Sequence, residues 1–177
     1  MALTAAAGCG YHVLATNQVY GMTAIAVVPF AEDMPVGLST QLAYELSSRL
    51  AAGGLHVVTD ESAASAILSG RVISAISSVS PVAQFNATVP AYDMTVTLTV
   101  ELVPKNGKAI WKKRMVIRED FLAAGTIASG TATGPQADPT LATEVNRRRA
   151  LLRVAEQAAQ DIVDALLIDS TTAPGSP

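Results

Sequence analysis

Leucines recur at every fourth position at Leu38, Leu42, Leu46 and Leu50, and that spacing predicts a helix over 37–52 carrying one apolar stripe. Gly53-Gly54 stops it, because glycine accepts the left-handed backbone of a helix C-terminus. On either side the pattern changes period. Ala24-Ile25-Ala26-Val27-Val28-Pro29-Phe30 is a continuous apolar run, read as a strand covered on both faces and ended by Pro29, and Leu55-His56-Val57-Val58 returns as a short strand. The order strand, helix, strand predicts a split unit whose helix packs across a sheet.

Further along, 66–80 is β-rich, with Leu68, Val72 and Ile76 sharing a face with Gly70, a glycine placed to admit a helix or a bulge. Strict alternation follows: Tyr92, Met94, Val96, Leu98, Val100 and Leu102 point one way, and Asp93, Thr95, Thr97, Thr99 and Glu101 the other. That is a strand with one wet face. Pro104-Lys105-Asn106-Gly107-Lys108 reads as a hairpin loop with Asn-Gly in a primed turn, and 110–118 as the return strand. The three runs form an antiparallel meander in the same sheet as 24–30. The segment 123–138 is too poor in large apolar residues to build core and reads as a mobile loop. Asp138-Pro139 supplies a helix start, and Leu152, Ala155, Ala159, Ile162 and Leu166 mark the buried stripe of a helix running to about Leu167. The tail, 169–177, reads as disordered. The fold class expected is α+β, one domain over 9–168 built as a two-layer sandwich.

Composition adds a globular character: 50% of residues are hydrophobic and 5% aromatic. A net charge of −3 gives no general attraction to nucleic acid, so no nucleic-acid partner is expected. No phosphate-cradling loop, nucleophile elbow or zinc-protease motif is present, and neither His12 nor His56 has a catalytic neighbourhood in sequence. Cys9 and His12 form a single C-x-x-H pair with nothing to close a tetrahedral site, so neither a metal nor a catalytic residue is expected, and the protein is read as a non-enzyme.

Two basic clusters stand out. Lys112, Lys113, Arg114 and Arg118 lie on the return strand, with Lys112, Arg114 and Arg118 on one sheet face and Lys113 on the other. Arg147, Arg148, Arg149 and Arg153 crowd the start of the last helix, where they oppose the macrodipole. Guanidinium groups recognise phosphates and carboxylates bidentately, so either cluster suits an acidic glycolipid or an acidic partner. An ordinary solvated face accounts for the same residues, and both readings stand.

The only cysteine, Cys9, follows Ala6-Ala7-Gly8, a small-residue run of the kind a signal peptidase holds before a lipid-carrying cysteine. Residues 1–8 are short for a full leader, so they read as the remnant of a signal and lipobox; an idle free thiol is the alternative. The sequence from here on resembles the lipopolysaccharide-assembly lipoprotein family LptE. The likeness runs from Cys9-Gly10-Tyr11-His12 through Ile25 to Phe30, the leucine-rich helix, Leu55 to Val58, Ala66 to Val72, Gly107-Lys108-Ala109-Ile110-Trp111 and the final Ala/Leu helix.

This resemblance implies two helices on a four-stranded mixed sheet, anchored by a covalent N-acyl diacylglycerol on Cys9 at the periplasmic face of the outer membrane. No other cofactor is expected. It implies two partners: an LptD-like outer-membrane β-barrel, which the protein plugs and helps to assemble, and lipopolysaccharide, which it contacts during insertion. Lys112, Lys113, Arg114 and Arg118 are the candidates for lipopolysaccharide, and Arg147, Arg148, Arg149 and Arg153 for a protein partner. The strand-helix-strand followed by Leu-Ser-Gly also looks like periplasmic lipoproteins that activate peptidoglycan synthases or build secretion pores, which is the alternative function.

Overall fold

A computed structural model describes residues 18–33, 36–79, 91–123 and 139–172. Cys9 to His12, most of the 123–138 segment, Asp138 and residues 173–177 lie outside the described residues. The chain order is β1 (Ala24–Val27), β2 (Ala31–Glu32), α1 (Ser39–Ala52), β3 (His56–Val58), β4 (Ala66–Val79), β5 (Ala91–Pro104), β6 (Trp111–Leu122) and α2 (Pro139–Thr172). One mixed sheet has the order β3-β1-β4-β5-β6, with β2 also paired to β4. The β3-β1-β4 part is parallel and the β4-β5-β6 part is the expected antiparallel meander. Both helices lie over the sheet and against each other, so the α+β class is correct.

Four features correct the sequence reading of this sheet. It has six strands instead of four, because the chain rejoins β4 as β2 beyond Pro29 and because the short β3 pairs as well. Proline has no N–H to give the ladder, which interrupts what would otherwise be one strand. The unit β1-α1-β3 is not split: β1 and β3 are direct neighbours, Ile25 opposite Val57, and β4 joins the other side of β1. The hairpin joining β5 and β6 is longer than a tight primed turn. The Gly107 N–H donates to the Pro104 carbonyl at 3.2 Å, and neither Asn106 nor Gly107 is left-handed. A turn with both central residues left-handed occurs instead at Tyr20-Gly21, closing the Val19 to Met22 bridge.

The fourth correction decides which face each β4 side chain occupies. The register with β5 shifts between Val72 and Ser74, leaving Ile73 as an extra residue. Ala66, Leu68 and Val72 face the helices and are buried, but beyond the bulge the parity flips. Ile76 therefore stands opposite Thr95 on the wet face and is 61% exposed, where simple alternation put it in the core. Gly70 is not the bulge and does not admit a helix. A Cβ there would collide with the Phe30 ring and the Thr99 carbonyl, so the glycine is the seat of a buried phenylalanine.

Leu38, Leu42, Leu46 and Leu50 are all buried, Leu38 as the residue preceding the first helical turn. At roughly 1.5–3 kcal/mol per fully buried leucine, this stripe is the main reason α1 stays on the sheet. Its end is a Schellman motif: the Gly54 N–H bonds the Ala51 carbonyl and the Leu55 N–H bonds that of Leu50, with Gly54 at φ +85°. Buried Leu55 then seals the turn against the core.

In α2 the buried residues include Leu151, Val154, Ala155, Ala158, Ala159, Ile162 and Leu166, an arc widened by contact with both α1 and β6. Its alanines let the helices approach closely. Leu152 is 47% exposed and does not belong to this arc; Leu151 takes the buried place. The helix also runs past Leu167 to Thr172, so Asp169 to Thr172 are helical and not tail. Asp169 is held there by chemistry that spacing does not reveal: its carboxylate accepts from Trp111 Nε1 at 2.9 Å and from Lys113 Nζ at 3.2 Å.

Candidate functional site

The wet face of the meander is built by the register. Across β5 and β6, Thr95 stands opposite Arg118, Thr97 opposite Val116, Thr99 opposite Arg114 and Glu101 opposite Lys112. On the β4 side, Ser69, Arg71, Ser74 and Ile76 complete the rows. β-Branched threonines suit a pleated surface, with Thr95 and Thr99 part-exposed and Thr97 buried between its neighbours. The outcome is a hydroxyl-bearing strip along β5 bordered by a cationic strip along β6.

The four cations expected together on β6 divide as alternation requires. Lys112, Arg114 and Arg118 share the wet face, whereas Lys113 points to the helix side and pairs with Asp169. That pairing, with the Trp111 bond first and the Lys113 bond second, holds the Asp169 carboxyl below its usual range. Lys112 reaches Glu101 at 3.3 Å, a solvated cross-strand pair. Arg114 and Arg118 form no ion pair with any described residue. At ~3.3 Å of rise per residue they stand about 13 Å apart along the strand. Val116 lies between them, 54% exposed. Two guanidinium groups without an ion-pair partner among the described residues, flanking an aliphatic side chain, can hold anionic groups while offering a little apolar surface.

The second cluster separates in a similar way. Arg147 is bound to Glu144 on its own helix, and Arg153 engages Glu119 and the Asp120 carbonyl on β6. Arg148 and Arg149 are exposed. Arg149 and Arg153 line an open depression of about 310 Å³ with Asn146, Phe121, Leu122 and Ala91. So the arginines that looked like one patch serve in part as ties between α2 and the end of β6. Asn146 Nδ2 adds a bond to the Leu122 carbonyl at 2.9 Å.

Three polar arrangements had no legible signal in sequence. Glu32 accepts four backbone N–H groups at the start of α1, from Val36, Gly37, Leu38 and Ser39 at 2.7–3.1 Å. Burial would raise its pKa, but the four donors outweigh that and hold the carboxyl below its usual value. Asp93 and Asp120 face each other across β5 and β6, and the Asp120 carboxyl is pushed up by its hydrogen bond with Asp93, then by burial and the neighbouring charges. Arg49, on α1, bonds Gln160 and pairs with Glu156 on α2 at 3.5 Å. Among the described residues no three His, Cys, Asp or Glu side chains are grouped to hold a metal. No described helix is long and apolar enough to cross a membrane.

Solved structures of similar fold include a candidate lipoprotein from Caulobacter crescentus, 15% identical, with a TM-score of 0.53 over 84% of this chain and 92% of that one. A minor lipoprotein from Acinetobacter baumannii, 13% identical, has a TM-score of 0.50 over 83% and 94%. At these identities the likeness speaks to fold alone. No individually curated protein matches the chain. The family profile described as "LptE: Lipopolysaccharide-assembly" matches residues 22–166, from ahead of β1 to near the end of α2. A match across all the strands and both helices, on a sheet with the expected meander, leads to one conclusion: this chain belongs to the LptE family of lipopolysaccharide-assembly proteins.

Proposed function

We propose that the protein is a lipid-anchored, non-catalytic component of the lipopolysaccharide translocon of a Gram-negative outer membrane. In this reading a diacylglycerol on Cys9 holds it at the periplasmic face, it occupies and helps to assemble an LptD-like β-barrel, and it contacts lipopolysaccharide during insertion. The observation that carries the proposal is the family match over residues 22–166. The anionic ligand is assigned to the wet face of β5 and β6, where Arg114 and Arg118 have no described ion-pair partner and Lys112 is only loosely engaged. Lys113 is left out because Asp169 holds it on the helix side. Arg148 and Arg149 are the members of the second cluster best placed to meet a protein partner, as Arg147 and Arg153 are engaged within the fold.

The test is co-expression with an LptD-like barrel, followed by purification through the barrel, together with binding of the purified protein to lipopolysaccharide. A stable complex and salt-sensitive binding are expected. Failure to form any barrel complex refutes the translocon assignment. Charge reversal at Lys112 and Arg114 should weaken lipopolysaccharide binding at least several-fold; unchanged binding returns those residues to the ordinary surface. Cys9→Ala should move the protein out of the membrane fraction, and retention there refutes the anchor.

A further inference from the structure

Among the described residues the strand order leaves β6 at an edge of the sheet, and described side chains occupy that edge over only part of its length. The carbonyls of Asp120 and Leu122 are bonded to Arg153 and Asn146, side chains of α2. Those carbonyls therefore point away from β5. In an antiparallel ladder the N–H and C=O of one residue point to the same side, and successive residues alternate. With a continuous register along β6, Lys112, Arg114, Val116 and Arg118 also direct their main-chain groups outward. No described residue bonds those groups. The window from Lys112 to Arg118 is about 20 Å long at ~3.3 Å per residue.

The side chains around this window select what can pair there. Edge lysines and arginines guard against indiscriminate strand addition. A second copy is disfavoured by charge in the register that uses the whole window: twofold antiparallel pairing about Met115 sets Lys112 of one copy against Arg118 of the other, twice, and directly opposed like charges destabilise a ladder. An acidic strand reverses that sign. On the helix side, Ile117 is buried and Met115 is half-buried beside Lys113, so the aliphatic surface a neighbouring strand would meet there is that of Met115. We propose that β6 accepts an extended partner segment by strand addition between Lys112 and Arg118, the segment carrying acidic residues on the wet face alternating with aliphatic residues on the helix face. This goes beyond the lipopolysaccharide reading and does not depend on it.

The experiment uses the full chain and a fluorescein-labelled peptide of four Glu-Val repeats, with the same peptide N-methylated at every backbone amide as a control of equal charge that cannot donate to a ladder. Fluorescence anisotropy should show at least tenfold tighter binding of the unmethylated peptide, weakened by Arg114→Glu. Val116→Pro should reduce it to the control level, because proline removes an outward N–H while keeping every charge, a change that edge strands tolerate. Per-residue amide exchange on the unmodified protein supplies a second readout. The peptide should protect the Lys112, Arg114, Val116 and Arg118 amides and leave those of Lys113, Met115 and Ile117, already bonded within the sheet, unchanged.

Equal affinity for the two peptides, or no added protection at the four outward amides, overturns the proposal. So does binding of anionic phosphatidylglycerol vesicles to this face with no peptide-specific protection, which would assign it to lipid. Protection of the four outward amides by the peptide is read without lipopolysaccharide, and lipopolysaccharide binding is read without the peptide, so failure of strand addition and failure of the lipopolysaccharide reading are separate results.

Discussion

Removing the Glu32 side chain should unlatch the start of α1. The residue before the first helical turn is Leu38, whose side chain caps nothing, so the first N–H groups of the helix need an acceptor from elsewhere. Glu32 substitutes from β2. One carboxylate oxygen accepts from Leu38 at 2.8 Å and Ser39 at 2.7 Å, the other from Val36 at 2.9 Å and Gly37 at 3.1 Å.

Loss of an ordinary N-cap costs about 1–2 kcal/mol, and hydrogen bonds to a charged group are worth about 1.5–3 kcal/mol net. Four bonds to one carboxylate are not additive, so Glu32→Ala is expected to cost ~2–3 kcal/mol, and Glu32→Gln, which keeps one acceptor oxygen, about half of that. With a urea m-value of ~2 kcal/mol/M, the alanine variant should unfold at about 1 M lower urea. The sign with pH follows from the lowered folded pKa. The contribution is complete above the unfolded value of about 4.3 and is lost as pH falls through the folded value, so the gap between wild type and Glu32→Gln should close in acid. Equal urea midpoints at pH 7, or a gap that is the same at pH 7 and pH 3, would refute the latch.

Four other tests address separate parts of the fold. Gly70→Ala should cost ~1–3 kcal/mol in chemical denaturation, and adding Phe30→Leu should recover only part of it, because the Thr99 carbonyl still blocks the new methyl; a neutral Gly70→Ala would mean the seat is loose. Leu151→Ala should cost ~2–4 kcal/mol and Leu152→Ala under ~0.5 kcal/mol, and the reverse order would mean that α2 is rotated. Asp120→Asn should raise the melting temperature at pH 7 and lose that advantage as pH falls, since a raised carboxyl pKa marks a charge that the fold disfavours; a lowered melting temperature at pH 7 would contradict it. Asp169→Asn should alter the fluorescence of Trp111, the only tryptophan, near neutral pH but not below the lowered folded pKa of Asp169; an unchanged spectrum at pH 7 would break the proposed bond.

Periodicity alone was enough to place α1, the meander and most of the buried stripe of α2, because a helix or a strand must bury a face of regular spacing. It was enough as well to separate Lys112, Arg114 and Arg118 from Lys113, since a continuous strand cannot put neighbours on one face. Where the period breaks, sequence reasoning broke with it. Nothing at Ile73 distinguishes a bulged residue from a paired one, so simple alternation puts Ile76 on the face of Leu68 and Val72, from which the bulge removes it. Leu151 and Leu152 fit a helical stripe about equally well until α1 and β6 together set the buried arc.

The candidate site divides along the same line. That β6 carries a cationic strip is a property of residue order and follows from the chain alone. Which cations are free depends on partners far away in sequence: Asp169 captures Lys113 from the end of α2, Glu119 and Asp120 capture Arg153, and Glu101 engages Lys112. These contacts depend on how the helix lies along the sheet, which no local pattern encodes. Local order determined the period, and therefore the faces; only packing between distant segments decided the neighbours, and with them which charges and which edge of the sheet remain available for a ligand.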